Sequence, residues 1–134
     1  MNIVKKLFRP VIAFWKSITI TFLVLLLSFA TMSPVESVMV FVWSDKLVHV
    51  VLYFLLTMVV LYDVIQRVDG KSEKKRVVWG IFFTISIGGI TELFQTLFFY
   101  PRQGDWFDFL SNIIGVLIAW YTMVLFRKKR KLKL

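Results

Sequence analysis

An all-α integral membrane bundle of four transmembrane helices, with both ends on the cytoplasmic side, is the fold class that the sequence predicts. Three observations carry it. Of 134 residues, 58% are hydrophobic and only 19% are charged, too apolar for a water-soluble domain of this size. Apolar runs near the ~20 residues that a helix needs to cross a bilayer recur four times. The basic residues gather before the first run, between the second and third, and after the fourth. In hydrocarbon every backbone amide must bond internally, so the runs are read as helices rather than strands.

The first helix is expected over about 17–33, around the apolar core Ile18 to Ala30. Its basic leader and the Ser28-Phe29-Ala30 triplet have some likeness to a cleaved signal. The leader is long, however, and the apolar stretch exceeds a usual signal core, so retention is expected. Val35 to Trp43 is apolar but too short to span; it either lies in the interface or extends the next helix upward. The second helix is expected over 46–64, with Asp45 placed to cap it. Asp69-Gly70-Lys71-Ser72-Glu73 reads as a turn-rich loop. The third helix is expected over 77–99 and ends in the tight turn Tyr100-Pro101-Arg102-Gln103-Gly104-Asp105. The fourth covers 106–126, followed by a basic juxtamembrane tail.

All but Lys46 and Arg102 of the 17 basic residues lie on one side of this arrangement. By the positive-inside rule that side is cytoplasmic. Trp15 and Trp79 then fall near inner ends, and Trp43 and Trp106 near outer ends, where interfacial anchors belong. The +9 formal charge is thereby explained by topology and anionic lipid, and no nucleic-acid partner is expected. The single domain 1–134 contains no cysteine, which excludes disulfides and thiolate metal sites.

Polar residues inside the spans are the informative ones, because an ionisable group in hydrocarbon costs at least about 2.5–3.5 kcal/mol on insertion scales. On the second helix Asp45, His49 and Tyr53 recur every four residues and share one face, with Lys46 beside them. Glu92 and Gln95 share a face of the third. On the fourth, Asp105, Asp108 and Asn112 are spaced by three and four. Glu92 lies about 10 Å below the outer end of its helix at 1.5 Å per residue. Three stripes running inward from the outer surface to similar depth describe one outward-facing polar pocket. Interhelical hydrogen bonding alone is the competing account, and Glu92 resists it best. Gly88-Gly89 and Gly115 would let the helices approach at the pocket floor.

His49, Glu92 and Asp108 are the acid/base candidates, and Lys46 and Arg102 supply positive charge for a phosphate or carboxylate. Asp45, Tyr53, Gln95, Asp105 and Asn112 complete the ligand-binding set. One histidine and no cysteine argue against a tight transition-metal site, although His with carboxylates is compatible with a divalent cation. No cofactor is expected. The inner halves of the spans offer only mild groups such as Thr84, Ser86 and Thr122, which argues against a transport pathway.

Taken together, Asp45-Lys46-x-x-His49-x-x-x-Tyr53, Gly89-x-x-Glu92-x-x-Gln95, Arg102 with Asp105 and Asp108, and Asn112-x-x-Gly115 resemble the pattern of the VanZ-like family. The resemblance covers Asp45 to Gly115. It implies a multi-pass protein of the bacterial cell membrane associated with resistance to teicoplanin, a glycopeptide antibiotic, without implying a reaction. The expected partners are membrane lipids and a lipid-linked cell-wall precursor or the glycopeptide itself. Two other classes stay open: an enzyme acting on a lipid headgroup or lipid-linked phosphate, and a scaffold for a membrane partner.

Overall fold

The structure is a computed structural model that describes residues 14–30, 44–66, 73–98 and 106–131. These form four helices and, among the described residues, no strand: α1 (Trp15–Ala30), α2 (Ser44–Gln66), α3 (Glu73–Phe98) and α4 (Trp106–Lys131). Three of them, α2, α3 and α4, are long and apolar enough to cross a membrane, so the chain is a membrane protein. The described part of α1 has 16 residues, about 24 Å of helix and short of the ~20 residues of a full span. The end of the expected first span, 31–33, lies outside the described residues, as does Val35 to Trp43.

Two boundaries differ from expectation. Glu73, Lys74, Lys75 and Arg76 form the first turn of α3 instead of belonging to the loop, and an acid there complements the helix dipole. At the same end α4 continues through Arg127, Lys128 and Lys129 beyond the expected stop at 126. The two extensions support each other, because Arg127 pairs with Glu73 across the helix ends.

Consecutive helices run antiparallel. Lys46 near the start of α2 reaches Asp108 near the start of α4, while Ser17 at the start of α1 reaches Asp63 near the end of α2. α2 is the central element and packs against all three others. Its buried stripe His49, Tyr53, Leu56, Val60 and Asp63 steps by four, three, four and three, the seam of left-handed helix packing. The closest approach is between α2 and α4. A methyl group built on Gly115 would lie 2.4 Å from the Val50 carbonyl oxygen and 3.0 Å from the Phe54 nitrogen, so the two backbones touch there.

The sidedness of the molecule is the reverse of a water-soluble protein. His49, Asp63, Glu92, Gln95, Asp108 and Asn112 are buried, while Phe22, Phe82, Leu97, Phe98 and Trp106 face outward. Hydrocarbon solvates the apolar exterior, and packing together with interhelical hydrogen bonds holds the interior.

The end of the bundle where α1 begins and α2 finishes is more polar than expected. Asp63 is 3% exposed and its Oδ2 accepts from the Ser17 amide at 3.1 Å and the Ser17 hydroxyl at 2.7 Å. A carboxylate from a neighbouring helix thus serves the unsatisfied N–H groups and positive dipole end of α1. Asp63→Ala is expected to cost about 1–2 kcal/mol, the worth of a good helix cap. Hydrogen exchange should show it as lost protection confined to the first turns of α1.

Candidate functional site

The end of the bundle where α2 and α4 begin and α3 finishes holds a connected set of buried polar side chains. Lys46 Nζ donates to Asp108 Oδ1 at 2.9 Å; the lysine keeps about a quarter of its side chain accessible while the aspartate is buried. One turn deeper, His49 Nδ1 lies 3.0 Å from Asn112 Oδ1, and Asn112 Nδ2 donates to Glu92 Oε1 at 3.5 Å. His49 Nδ1 is also 4.0 Å from that Glu92 oxygen. Below them the Tyr53 hydroxyl donates to Thr91 Oγ1 at 3.4 Å.

Direction follows from the chemistry of the amide. Asn112 Oδ1 can only accept, so His49 Nδ1 carries the hydrogen that points at it. Turning the amide over would set its oxygen against the Glu92 carboxylate, so Glu92 fixes Asn112 and Asn112 fixes the imidazole. In the neutral ring this leaves the lone pair on Nε2, the atom then available to take a proton or meet a ligand. Helical spacing supplies the alignment: Lys46 and His49 are three apart on α2, and Asp108 and Asn112 are four apart on α4.

Glycine sets the depth at which this occurs. A methyl group on Gly88 would meet Asn112 Cβ, Asn112 Nδ2 and Tyr53 Cε1, all at 3.3 Å, so the absence of a side chain makes room for the amide. Gly89 faces the Phe109 ring at ordinary contact distance and has no part in the floor, contrary to a shared role for the pair.

Of the residues singled out from sequence, Lys46, His49, Tyr53, Glu92, Asp108 and Asn112 come together. Gln95 is fully buried but reaches elsewhere: its Nε2 donates to the Ser28 carbonyl at 3.2 Å, tying α3 to the end of α1. The Asp45 side chain, Arg102 and Asp105 lie outside the described residues. Thr91 is a member of the set that the sequence did not yield; its three-residue step from Gly88 toward the site end of α3 was the available signal. His49, Glu92 and Asp108 each offer a ligand atom, all within 4.8 Å of one another. Among the described residues they are the ones able to hold a divalent cation, which would have to displace the Lys46 ammonium from Asp108.

Beside Lys46, an apolar groove of about 360 Å³ opens between α2 and α4, lined by Leu47, Val50, Phe107, Leu110 and Ile114. Lys46 sits at its mouth, 5.9 Å from the centre of the Phe107 ring. The groove stops near Val50 and Ile114, where Gly115 brings the two backbones into contact.

The fold is that of a membrane protein with a buried polar cluster under one end of an apolar helical bundle. The chain is 30% identical over 122 residues to an uncharacterized protein of Schizosaccharomyces pombe, covering 86% of this chain and 67% of the yeast protein. It belongs to the same family as that protein. No family model matches the chain, and no solved structure matches it either.

Proposed function

We propose that this chain is an envelope membrane protein of the VanZ-like type whose polar cluster binds the anionic headgroup of an amphiphile at the outer face. The observation that supports it most is the Lys46–Asp108 pair standing over the His49–Asn112–Glu92 chain, at the head of an apolar groove. A cation at the mouth suits a phosphate or carboxylate, and the groove suits the hydrocarbon attached to it. Basic residues support the orientation: Lys16, Lys74, Lys75, Arg76, Arg127, Lys128 and Lys129 sit at the opposite end of the bundle. That end is then cytoplasmic, and α1 is the fourth crossing of the bundle. Bacterial residence and teicoplanin tolerance rest on the motif resemblance. A yeast relative favours a ligand shared by bacterial and eukaryotic membranes, a phosphate-bearing lipid.

The test is teicoplanin and vancomycin susceptibility in a sensitive Gram-positive host carrying empty vector, wild type or Glu92→Gln at matched membrane levels. Wild type is expected to raise tolerance to teicoplanin selectively, and Glu92→Gln to abolish the rise. Unchanged susceptibility with wild type overturns the resistance reading.

The directed His49–Asn112–Glu92 chain favours one second reading, an enzyme in which His49 Nε2 exchanges a proton with a lipid-linked phosphate held by Lys46. It predicts a changed lipid or precursor profile on expression of wild type and none with His49→Gln.

A further inference from the structure

A second groove lies at the opposite end of the molecule, on the other side of α2. It encloses about 530 Å³ between α1 and α3, a volume in the range of sites that hold small amphiphiles. Ile18, Phe22 and Leu25 of α1 form one wall, Trp79 and Phe83 of α3 the other, and Val64 of α2 the back. α1 and α3 pack only lightly against each other, so the space between them opens sideways to hydrocarbon. Arg76 lines the end of the groove, one turn before Trp79 on α3. It is exposed and makes no ion pair among the described residues. Arg127 has Glu73 and Lys16 lies over the Trp15 and Tyr62 rings, but among the described residues the Arg76 guanidinium has no such partner.

We infer that this groove holds one anionic phospholipid from the leaflet at the basic end, with an acyl chain between α1 and α3 and its phosphate on Arg76. The chemistry is that of a planar, permanently charged fork placed at the head of an apolar slot. Trp79 stands at headgroup level, as interfacial tryptophans do. The lipid completes the contact that α1 and α3 do not make directly. It occupies a different face and end from the polar cluster, so the inference is independent of the function proposed above.

The experiment uses the full chain in vesicles of phosphatidylcholine with a minority of phosphatidylglycerol, and photoreactive acyl-chain probes of each lipid. Labelled peptides are mapped by mass spectrometry. The phosphatidylglycerol probe is expected to label Phe22, Leu25 or Phe83 at least about fivefold more than the phosphatidylcholine probe, the value of one basic residue near an anionic lipid. Arg76→Gln should abolish that preference while leaving helix content unchanged, and Leu25→Trp should block labelling by both probes. Equal labelling by the two lipids, or a preference that survives Arg76→Gln, overturns the inference. So does an unlabelled groove, including one filled by residues 1–13 of the chain itself.

Discussion

Gly115→Ala is expected to destabilise the bundle by about 3 kcal/mol, the largest loss from a methyl group added at any of the described glycines. The new Cβ would stand 2.4 Å from the Val50 carbonyl oxygen, well inside contact distance, and the obstruction is backbone on both helices. A flexible side chain could swing aside, but a helix cannot, so α2 and α4 must separate along their length. Overpacking costs about 1–3 kcal/mol where side chains absorb it, and more when backbone must move. The strain falls one turn below Asn112, so separation would also lengthen the His49–Asn112 and Lys46–Asp108 contacts. Unfolding in mixed micelles followed by helix content should give the loss. Gly89→Ala, whose methyl would meet only the Phe109 ring at 3.5 Å, should be nearly neutral in the same assay.

The second large effect belongs to Asn112→Leu. Leucine has the same branched outline, though it is bulkier, and it neither accepts from His49 nor donates to Glu92. Both partners are buried, and a buried group that loses its hydrogen bond costs about 1–3 kcal/mol. In membranes the net value of such bonds is smaller, about 0.6–2 kcal/mol each, because partners are also found in the unfolded state. A loss of about 2 kcal/mol is expected from the two links together. Function should suffer beyond stability, since the imidazole would lose the contact that orients its proton. Asn112→Gln separates the two contributions. If Asn112 acts only as interhelical glue, activity in the susceptibility or lipid assay should track the folded fraction in both variants. If it orients His49, activity should vanish in Asn112→Leu at a temperature where the bundle is still folded.

Much of the site is legible in the sequence because helix geometry turns spacing into position. His49 and Asn112 lie on faces marked by Asp45, Tyr53 and Asp108 at steps of four, and their meeting with Glu92 follows once the helices alternate in direction. The links across helices are less legible. Gly115 signals a close approach but not the identity of its partner, and Gln95 shares a face with Glu92 yet bonds to α1. Asp63 is absent from the sequence-derived set although it continues the three-four stripe of His49, Tyr53, Leu56 and Val60. A polar residue near the end of an apolar run resembles one reaching for water, and only the position of α1 shows what it serves. The start of α3 and the end of α4 are hard to read from sequence for a similar reason. Glu73 and Arg127 have loop-like surroundings in sequence, and the ion pair that keeps them helical joins residues far apart in the chain.

The polar anchors of α1 have a consequence for how the molecule is made. α1 is the earliest of the four helices to leave a ribosome, yet its N-terminal partner, Asp63, comes at the end of α2, and its C-terminal partner, Gln95, near the end of α3. Biogenesis therefore has an interval in which α1 lacks both of these anchors. A nascent chain halted after α2 would have the first anchor in hand, and one halted inside α3 would still lack the second. Release of α1 to proteases or insertion factors should consequently fall in two steps as synthesis proceeds, at the emergence of Asp63 and again at that of Gln95.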